Sequence, residues 1–465
     1  MKLFLSITLT LFFNYCYLQN SDSIITYSNY IQNIIKFHPL IQKYNIETVQ
    51  KSKAYITKSR GFFDPKVYYN FDQKLFQTKN YYSIINGGLK IPSWFGTDFK
   101  AEYNYNTGLY INSSEYLPPN GLWSLGFSQP IFKNLFIDER RWQLKASKIE
   151  LQIAELEYNQ YSLQFLIEAT YRYWEWFEQY NKYLLLDYAT QISRERLKAT
   201  ENAVIAGDLA AIDSTETSIQ YNNFLIQKNI SEIELNNVKN NIQYFLQWDK
   251  NQFNFSLNYP YYPEKFNSSN IKNLIFDKKI FDSLIYQHPA YKKYLLKNKT
   301  LQIEKKFRIE MLKPQLDITY NALLLPVHPN DLYYNSNNYK WGINFSLPVF
   351  LRKERAELKL INLKLRENQI ESELKFSELF IKATNYFNLY STYSNQLVNI
   401  ENLIQRYEKM LNAERERFFA GESSVFLVNS RENYLIDAKL KQISFYAKLN
   451  LYKSLLELSL GQIPQ

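Results

Sequence analysis

Three histidines, His38, His288 and His328, are the first residues of this 465-residue chain to invite a chemical reading. A zinc or copper site draws His, Cys and carboxylate ligands together, usually with two of them a few residues apart. None of the three has a second His or Cys at that spacing, and His38 and His288 each stand directly before a proline, a signature of a helix start. No glycine-rich phosphate loop and no nucleophile–base pairing is evident. Neighbouring carboxylates such as Glu155 and Glu157 read as a solvated helix face. Enzymatic chemistry, cofactors and metal sites therefore find no support. Two short steps remain, "AGDLAAIDSTE" from Ala206 and "AGESSVFLVNSRE" from Ala420, in a chain with only 11 glycines. Each interrupts a long, proline-free, helix-forming run. Glycine suits the left-handed residue that ends a helix, and the acid after it, Asp208 or Glu422, suits the positive N-terminus of a returning helix. Gly207 and Gly421 thus read as the bends of two helical hairpins.

The elements that must position these bends are written twice. "FHPLIQKY" at Phe37–Tyr44 returns as "QHPAYKKY" at Gln287–Tyr294, and "RGFFDPKVYYNF" at Arg60–Phe71 returns as "IEMLKPQLDITY" at Ile309–Tyr320. "WSLGFSQPIF" at Trp123–Phe132 matches "WGINFSLPVF" at Trp341–Phe350. With the two Ala-Gly-acid steps, four landmarks recur in one order, which marks a duplication. The first repeat covers 24–248 and the second 273–463, with a linker over 249–272 that carries Pro260 and Pro263.

Within each repeat the period of the apolar pattern switches. A helix opens at Pro39 or Pro289 and ends at Pro65 or Pro314. Strands follow, over about 66–128 and 315–347. Phe99, Ala101, Tyr103 and Tyr105 alternate with Lys100, Glu102, Asn104 and Asn106, and Trp341, Ile343, Phe345 and Leu347 show the same period. Alternation over about ten residues with aromatics near the ends fits a tilted transmembrane strand; a half-buried strand of a soluble sandwich is the alternative. Tyr81–Ile91 is a spare strand-like piece of the first repeat. After Pro130 and Pro348 the period becomes helical, giving hairpins over about 134–246 and 351–460. Some 70 residues of helix span about 100 Å. Apolar residues step by seven through Leu379, Tyr386, Tyr393, Ile400 and Tyr407, the mark of supercoiled helices.

Composition narrows the partners. The net charge of +10 comes from Lys and Glu interspersed along the chain, which describes a solvated surface and not a nucleic-acid footprint. "MKLFLSITLTLFF" has the order of a secretory signal, assigned to 1–20. Cys16 is the one cysteine, so no intramolecular disulfide is available. Lipid attachment at Cys16 is a secondary reading, since Tyr15 is bulky where a lipoprotein signal carries a small residue.

Signal segment, duplicated helix–strand units and mirrored hairpins together resemble the TolC family of outer-membrane efflux proteins. The most specific piece is "ERERFFAGESSVFLVNSRE", which resembles that family's Phe-x-x-Gly-Glu-Ser-Ser-x-Phe-x-Leu-x-Asn-Ser-Arg-Glu stretch. "AGDLAAIDSTE" is similar to its Gly-x-x-x-x-x-Asp motif, and "FSQPIF" and "FSLPVF" to its strand-to-helix passage. The resemblance implies a mainly α fold with a transmembrane β-barrel contribution. Long helices would form a coiled-coil barrel, and four strands per chain would enter a twelve-stranded barrel in a homotrimer.

It further implies a passive export duct in outer-membrane lipid with a periplasmic helical tunnel. The duct would carry small molecules, ions or peptides from an inner-membrane pump (RND, ABC or other) through a periplasmic adaptor. Residue by residue, the tip and adaptor-contact candidates are Gly207, Asp208, Asp213, Gly421, Glu422, Ser423 and Ser424. The constriction candidates are Leu427, Asn429, Ser430 and Arg431, with Glu432 nearby. Leu427 and Ser430 stand where an acidic ring would bind cations, so a strongly acidic gate is not expected. Pro65, Pro130, Pro314 and Pro348 mark the strand–helix transitions. Two other readings are open: an outer-membrane-anchored coiled-coil structural or adhesive protein, and a metal-specific efflux channel, for which no Cys- or Met-rich tract speaks.

Overall fold

Period-2 sequence after Pro65 and Pro314 becomes one antiparallel sheet in the computed structural model, which describes residues 23–246, 261–267, 278–328 and 331–463. The signal segment with Cys16, and most of the 249–272 linker, lie outside the described residues. The fold is mainly α with this single large sheet. In chain order the elements are β1 (Ser23–Ile25), α1 (Tyr27–Phe37), α2 (Pro39–Asn45), a π-helical turn (Ile46–Gln50) and α3 (Lys51–Arg60). Then come β2 (Lys66–Phe76), β3 (Lys79–Pro92), β4 (Asp98–Thr107), β5 (Leu122–Pro130), α4 (Glu139–Ala206) and α5 (Ala211–Leu246). β6 (Tyr261–Pro263), α6 (Lys278–Gln287), α7 (Pro289–Glu310), β7 (Gln315–His328), β8 (Asp331–Ser346), α8 (Arg352–Phe419) and α9 (Val425–Ser459) complete the chain.

Two compact units cut across the sequence repeats. One holds Asn45–Tyr158 with Pro289–Lys375, and its sheet runs in the order β2-β3-β4-β5-β7-β8. Six strands stand where four were expected: the spare piece Tyr81–Ile91 is β3, which pairs along its length with both β2 and β4, and the β3–β4 hairpin supplies the two beyond four. The cross-strand register puts Val67, Leu89, Ala101, Leu125, Ala322 and Tyr339 in one row and Phe71, Ile85 and Tyr105 in another on the same face. Phe99, Phe127, Tyr320 and Trp341 form a third. The opposite face carries Asn70, Asn86, Asn104, Ser124, Asn321 and Lys340, with Ile84, Leu122 and Leu323 among its apolar exceptions. Val67 is 83% exposed and Phe345 65% exposed, so among the described residues nothing covers the apolar face there. Beneath the sheet, α7 packs on the first turns of α4 and α8. Trp142 stacks on Phe307 at 5.4 Å, and Arg308 pairs with Glu357 at 2.7 Å.

The other unit holds the segments through Tyr44, Asn159–His288 and Phe376–Gln465. Tyr27, Tyr30, Tyr173, Trp174, Trp176 and Phe177 form its aromatic centre. The tyrosine hydroxyls are satisfied, while the indole N–H groups of Trp174 and Trp176 are buried without a partner: the Tyr173 hydroxyl donates to the Ile25 carbonyl at 2.9 Å, and the Tyr30 hydroxyl to the Ala169 carbonyl at 3.2 Å. Tyr27 and Thr170 hydroxyls bond at 2.8 Å. The parallel pair β1–β6 is thereby held against the middle of α4, with Asn181 accepting from the Phe266 N–H at 2.8 Å. In α8 the buried seam runs Ala383, Tyr390, Leu397, Ile404 and Leu411, seven residues apart and offset from the stripe read in the sequence. Tyr390, Leu397, Ile404 and Leu411 pack on Val428, Leu435, Ala438 and Leu449 of α9. Of the other stripe, Ile400 is buried in the same cluster and Leu379 is also buried, while Tyr393 and Tyr407 lie partly buried at its flank. Two adjacent seven-residue seams are what a helix with neighbours on more than one side requires.

His38 does structural work at the start of α2. Its Nδ1 accepts from the Leu40 N–H at 3.2 Å, so Nε2–H donates to the Tyr244 carbonyl at 3.2 Å. Phe165, Tyr244 and Phe245 surround the ring. Burial pushes the imidazole from its ordinary 6.5 to about 4, and the Tyr244 carbonyl offsets only part of that. Between these two values the unfolded chain binds a proton that the folded chain refuses. This contribution to stability is full above pH 6.5 and is lost as pH falls toward about 4. Denaturant unfolding across that window will show the fall, and His38→Gln will flatten it.

Candidate functional site: the hairpin tips

Both hairpins turn by the same local chemistry. α4 and α8 are 68 residues each, and α5 and α9 are 36 and 35. At the first tip the Asp208 N–H donates to the Ala203 carbonyl at 2.9 Å and the Gly207 N–H to Val204 at 3.1 Å. At the second, Glu422 donates to Arg417 at 2.8 Å and Gly421 to Phe418 at 3.0 Å. These are Schellman closures with a left-handed glycine at φ 83° and 77°. A Cβ at either glycine would meet nothing within 4 Å, so the demand for glycine is conformational alone.

The acid after each glycine, read as sitting at the N-terminus of the returning helix, stands short of helices that begin at Ala211 and Val425. Ser424, and not Glu422, caps α9, its hydroxyl accepting from the Leu427 N–H at 3.4 Å. Glu422 and Asp208 stay exposed just outside the helices, and the acid in the first turn of α5 is Asp213. Ser423 instead donates to Glu414 at 2.6 Å, and Arg431 bonds the same carboxylate at 3.4 Å. The Ser423 hydroxyl, followed by the Arg431 guanidinium, holds Glu414 below the usual carboxylate range.

A buried charge network ties the two hairpins together behind the tips. Arg196 of α4 donates to both Glu432 oxygens, at 2.7 Å through Nη2, and to Asn429 Oδ1 at 3.0 Å. Gln220 of α5 donates to Glu432 at 3.1 Å, and Arg415 of α8 approaches it at 3.4 Å. All four helices of the hairpins thus meet at one carboxylate. Asn429, read as a constriction residue, is 2% exposed and occupied by Arg196 within the chain. Leu427, Ser430 and Arg431 are partly buried nearby. Arg196, Gln220 and Arg415 were not singled out in the sequence, and no local motif flags them. Between the tips and the network lies a mainly apolar cavity of about 330 Å³, lined by Ala203, Leu209, Phe418, Phe419, Val425 and Val428 among others.

The four marked prolines lie where strands meet helices. Pro65 precedes β2, Pro130 closes β5, Pro314 precedes β7 and Pro348 follows β8. The Ile131 N–H bonds the Leu316 carbonyl at 2.8 Å and the Lys133 N–H the Pro314 carbonyl at 3.1 Å, joining the passages of the two repeats. Asp138 caps α4 through the Arg141 N–H at 2.9 Å. Burial raises its carboxyl, but bonds from the Arg141 backbone and guanidinium outweigh that, leaving it below its ordinary range. Among the described residues no group of three or more His, Cys, Asp or Glu could hold a metal ion, and no helix is long and apolar enough to cross a membrane.

No protein-family profile and no curated protein matches the sequence. Solved structures do match over nearly the whole chain. The outer-membrane channel OprN superposes with a TM-score of 0.64 at 13% identity, covering 93% of this chain and 89% of that one. The CmeC outer-membrane channel of Campylobacter jejuni gives 0.62 at 14% identity, with 93% and 85% covered. The outer-membrane protein VceC of Vibrio cholerae gives 0.62 at 12%, with 94% and 96% covered. At such identities the match establishes the fold, that of the TolC-like outer-membrane channels.

Two substitutions separate the parts of the tip. Gly421→Val will weaken the helix end by about 1–2 kcal/mol, the cost of a left-handed residue with a Cβ, whereas Gly421→Asn will be nearly neutral; hydrogen exchange of the Glu422 amide reads the difference. Glu432→Ala leaves Arg196 partly buried without its partner and will cost about 3 kcal/mol in chemical denaturation, with far less lost in Arg196→Met/Glu432→Leu.

Proposed function

We propose that this chain is the outer-membrane channel of a tripartite export system. The single observation that carries the proposal is the six-stranded sheet with one exposed apolar face and one polar face, in a chain of TolC-like fold. A soluble sandwich would cover that apolar face; a membrane barrel presents it to lipid. The polar face, with Lys100, Glu102, Asn104 and Lys340, would line water. In this reading the chain is a homotrimer in the outer membrane, its two repeats supplying hairpins to a periplasmic helical tunnel. It performs no catalysis and needs no cofactor. Cargo, whether small molecules, ions or peptides, would be driven by an inner-membrane pump acting through a periplasmic adaptor.

The hairpin tips are where an adaptor would dock. Gly207, Asp208, Gly421 and Glu422 are exposed there, beside Phe419, which is 85% exposed. Asp213, Ser423 and Ser424 shape the returning helices, and the Arg196–Glu432 network would hold the hairpins in their closed arrangement. Leu427 and Ser430 offer no acidic ring, so selectivity among cations should be weak. A purely adhesive stalk is disfavoured because both long helices fold back at matched tips.

Recording from purified protein in planar bilayers tests the proposal. The expected result is discrete conductance steps with little cation preference, and a several-fold higher open fraction in Arg196→Ala. A protein that inserts yet shows no steps, in either form, is not a duct.

A further inference from the structure

The extra strands ask where they belong. β3 and β4 could be wall, or a hairpin standing aside in water, and three observations decide between these. First, β2 pairs with β3 and β4 with β5 over most of their lengths, so β2 and β5 are not neighbours and removing the hairpin would break the sheet. Second, the hairpin obeys the sheet's two-faced pattern. Ile85, Leu89, Ile91, Phe99, Tyr103 and Tyr105 share the apolar face, and Asn86, Lys90, Lys100, Glu102 and Asn104 the polar one. A hairpin in water would have no reason to keep that alternation in register with its neighbours.

Third, the hairpin reaches both ends of the sheet. Its lower turn, Ser93–Thr97, is tied to the strand–helix passage: Asp98 pairs with Arg140 at 2.9 Å and Lys90 at 3.0 Å, and Arg141 donates to the Phe95 carbonyl at 3.3 Å. Trp94, 78% exposed, and Phe95 stand there with Phe132 and Phe136. At the far end Tyr110 packs on Tyr81 at 4.6 Å, alongside exposed Phe76, Tyr116 and Tyr333. Two aromatic belts bracketing an apolar band are the mark of a membrane-spanning wall.

We infer that all six strands of each copy enter the barrel wall, so that the outer edges of β2 and β8 pair with those of neighbouring copies and a trimer closes with eighteen strands. An even number of antiparallel strands makes β2 and β8 run in opposite senses, so a β8–β2 seam continues the antiparallel order around a closed ring. The partner is a second copy of this chain, because each edge is the complement the other lacks. Barrel diameter grows roughly linearly with strand number. The lumen is then about one and a half times as wide as that of the twelve-stranded barrel which four strands per chain would give. This inference rests on the trimeric reading above.

Four single-cysteine variants test it, spin-labelled in phospholipid nanodiscs with unsubstituted protein as the blank: Ile85→Cys, Leu89→Cys, Asn86→Cys and Lys90→Cys. Labels at 85 and 89 should collide several-fold more with oxygen than with a water-soluble nickel chelate, and labels at 86 and 90 the reverse. If all four favour nickel, the hairpin stands in water and the inference is overturned. Leu125→Cys and Ile343→Cys report the rest of the sheet; nickel preference there as well would sink the membrane reading itself. Native mass spectrometry of the detergent-extracted complex counts copies. Three supports eighteen strands, whereas two sinks the trimeric reading and the eighteen with it.

Discussion

Along the outer edges of β2 and β8 the backbone N–H and C=O groups have no ladder partner in the sheet. In water such edges are tolerable, and proteins blunt them with charge, proline or bulges. In hydrocarbon each unsatisfied group costs several kcal/mol. If the exposed apolar face meets lipid, as proposed, the open edges forbid the sheet to enter it alone. Six strands are also fewer than the eight of the smallest known outer-membrane barrels. The proposed membrane sheet therefore requires assembly from several copies, and the rest of the chain supplies elements that would make such an assembly workable.

Those elements are economical in kind. Long helices gain little from propensity and depend on packed seams, which the seven-residue stripes of α8 and the aromatic centre around Tyr173 provide. Several polar groups drawn into these contacts have a defined partner: Tyr173 on Ile25, His38 between Leu40 and Tyr244, Glu432 on Arg196 and Gln220. The Glu432 cluster differs from the others in joining both hairpins at one carboxylate. In the proposed duct, breaking that contact would free the hairpins relative to each other, which is the property a gate needs.

Features set by neighbouring residues were legible in the sequence. A left-handed glycine, a proline before a strand and a seven-residue apolar step each leave a local mark. Gly207, Gly421 and the bounds of the long helices follow from these. What was hidden depends on partners far apart along the chain. Arg196 and Glu432 are ordinary charged residues until α4 and α9 lie side by side, and Asn429 looked lumenal until Arg196 occupied it. Tyr81–Ile91 is legible as a strand without a counterpart in the second repeat, but its place in the sheet is not, because "SIINGGLK" does not alternate by itself: Ile84 and Ile85 are adjacent, and Gly87 and Gly88 blank two positions. Only the pairing of Gly87 with Tyr69 and Tyr103 shows which face each residue takes. In α8 both stripes are apolar, and Leu379 and Ile400 of the stripe legible in the sequence are buried; only the contact with α9 makes the neighbouring stripe the continuous seam.

Amide hydrogen exchange along β2 and β8 in the lipid-embedded assembly tests the central claim most directly. Edges sealed against neighbouring copies will exchange as slowly as the central strands β4 and β5. Fast exchange confined to β2 and β8, with β4 and β5 protected, would show an open sheet and contradict the account.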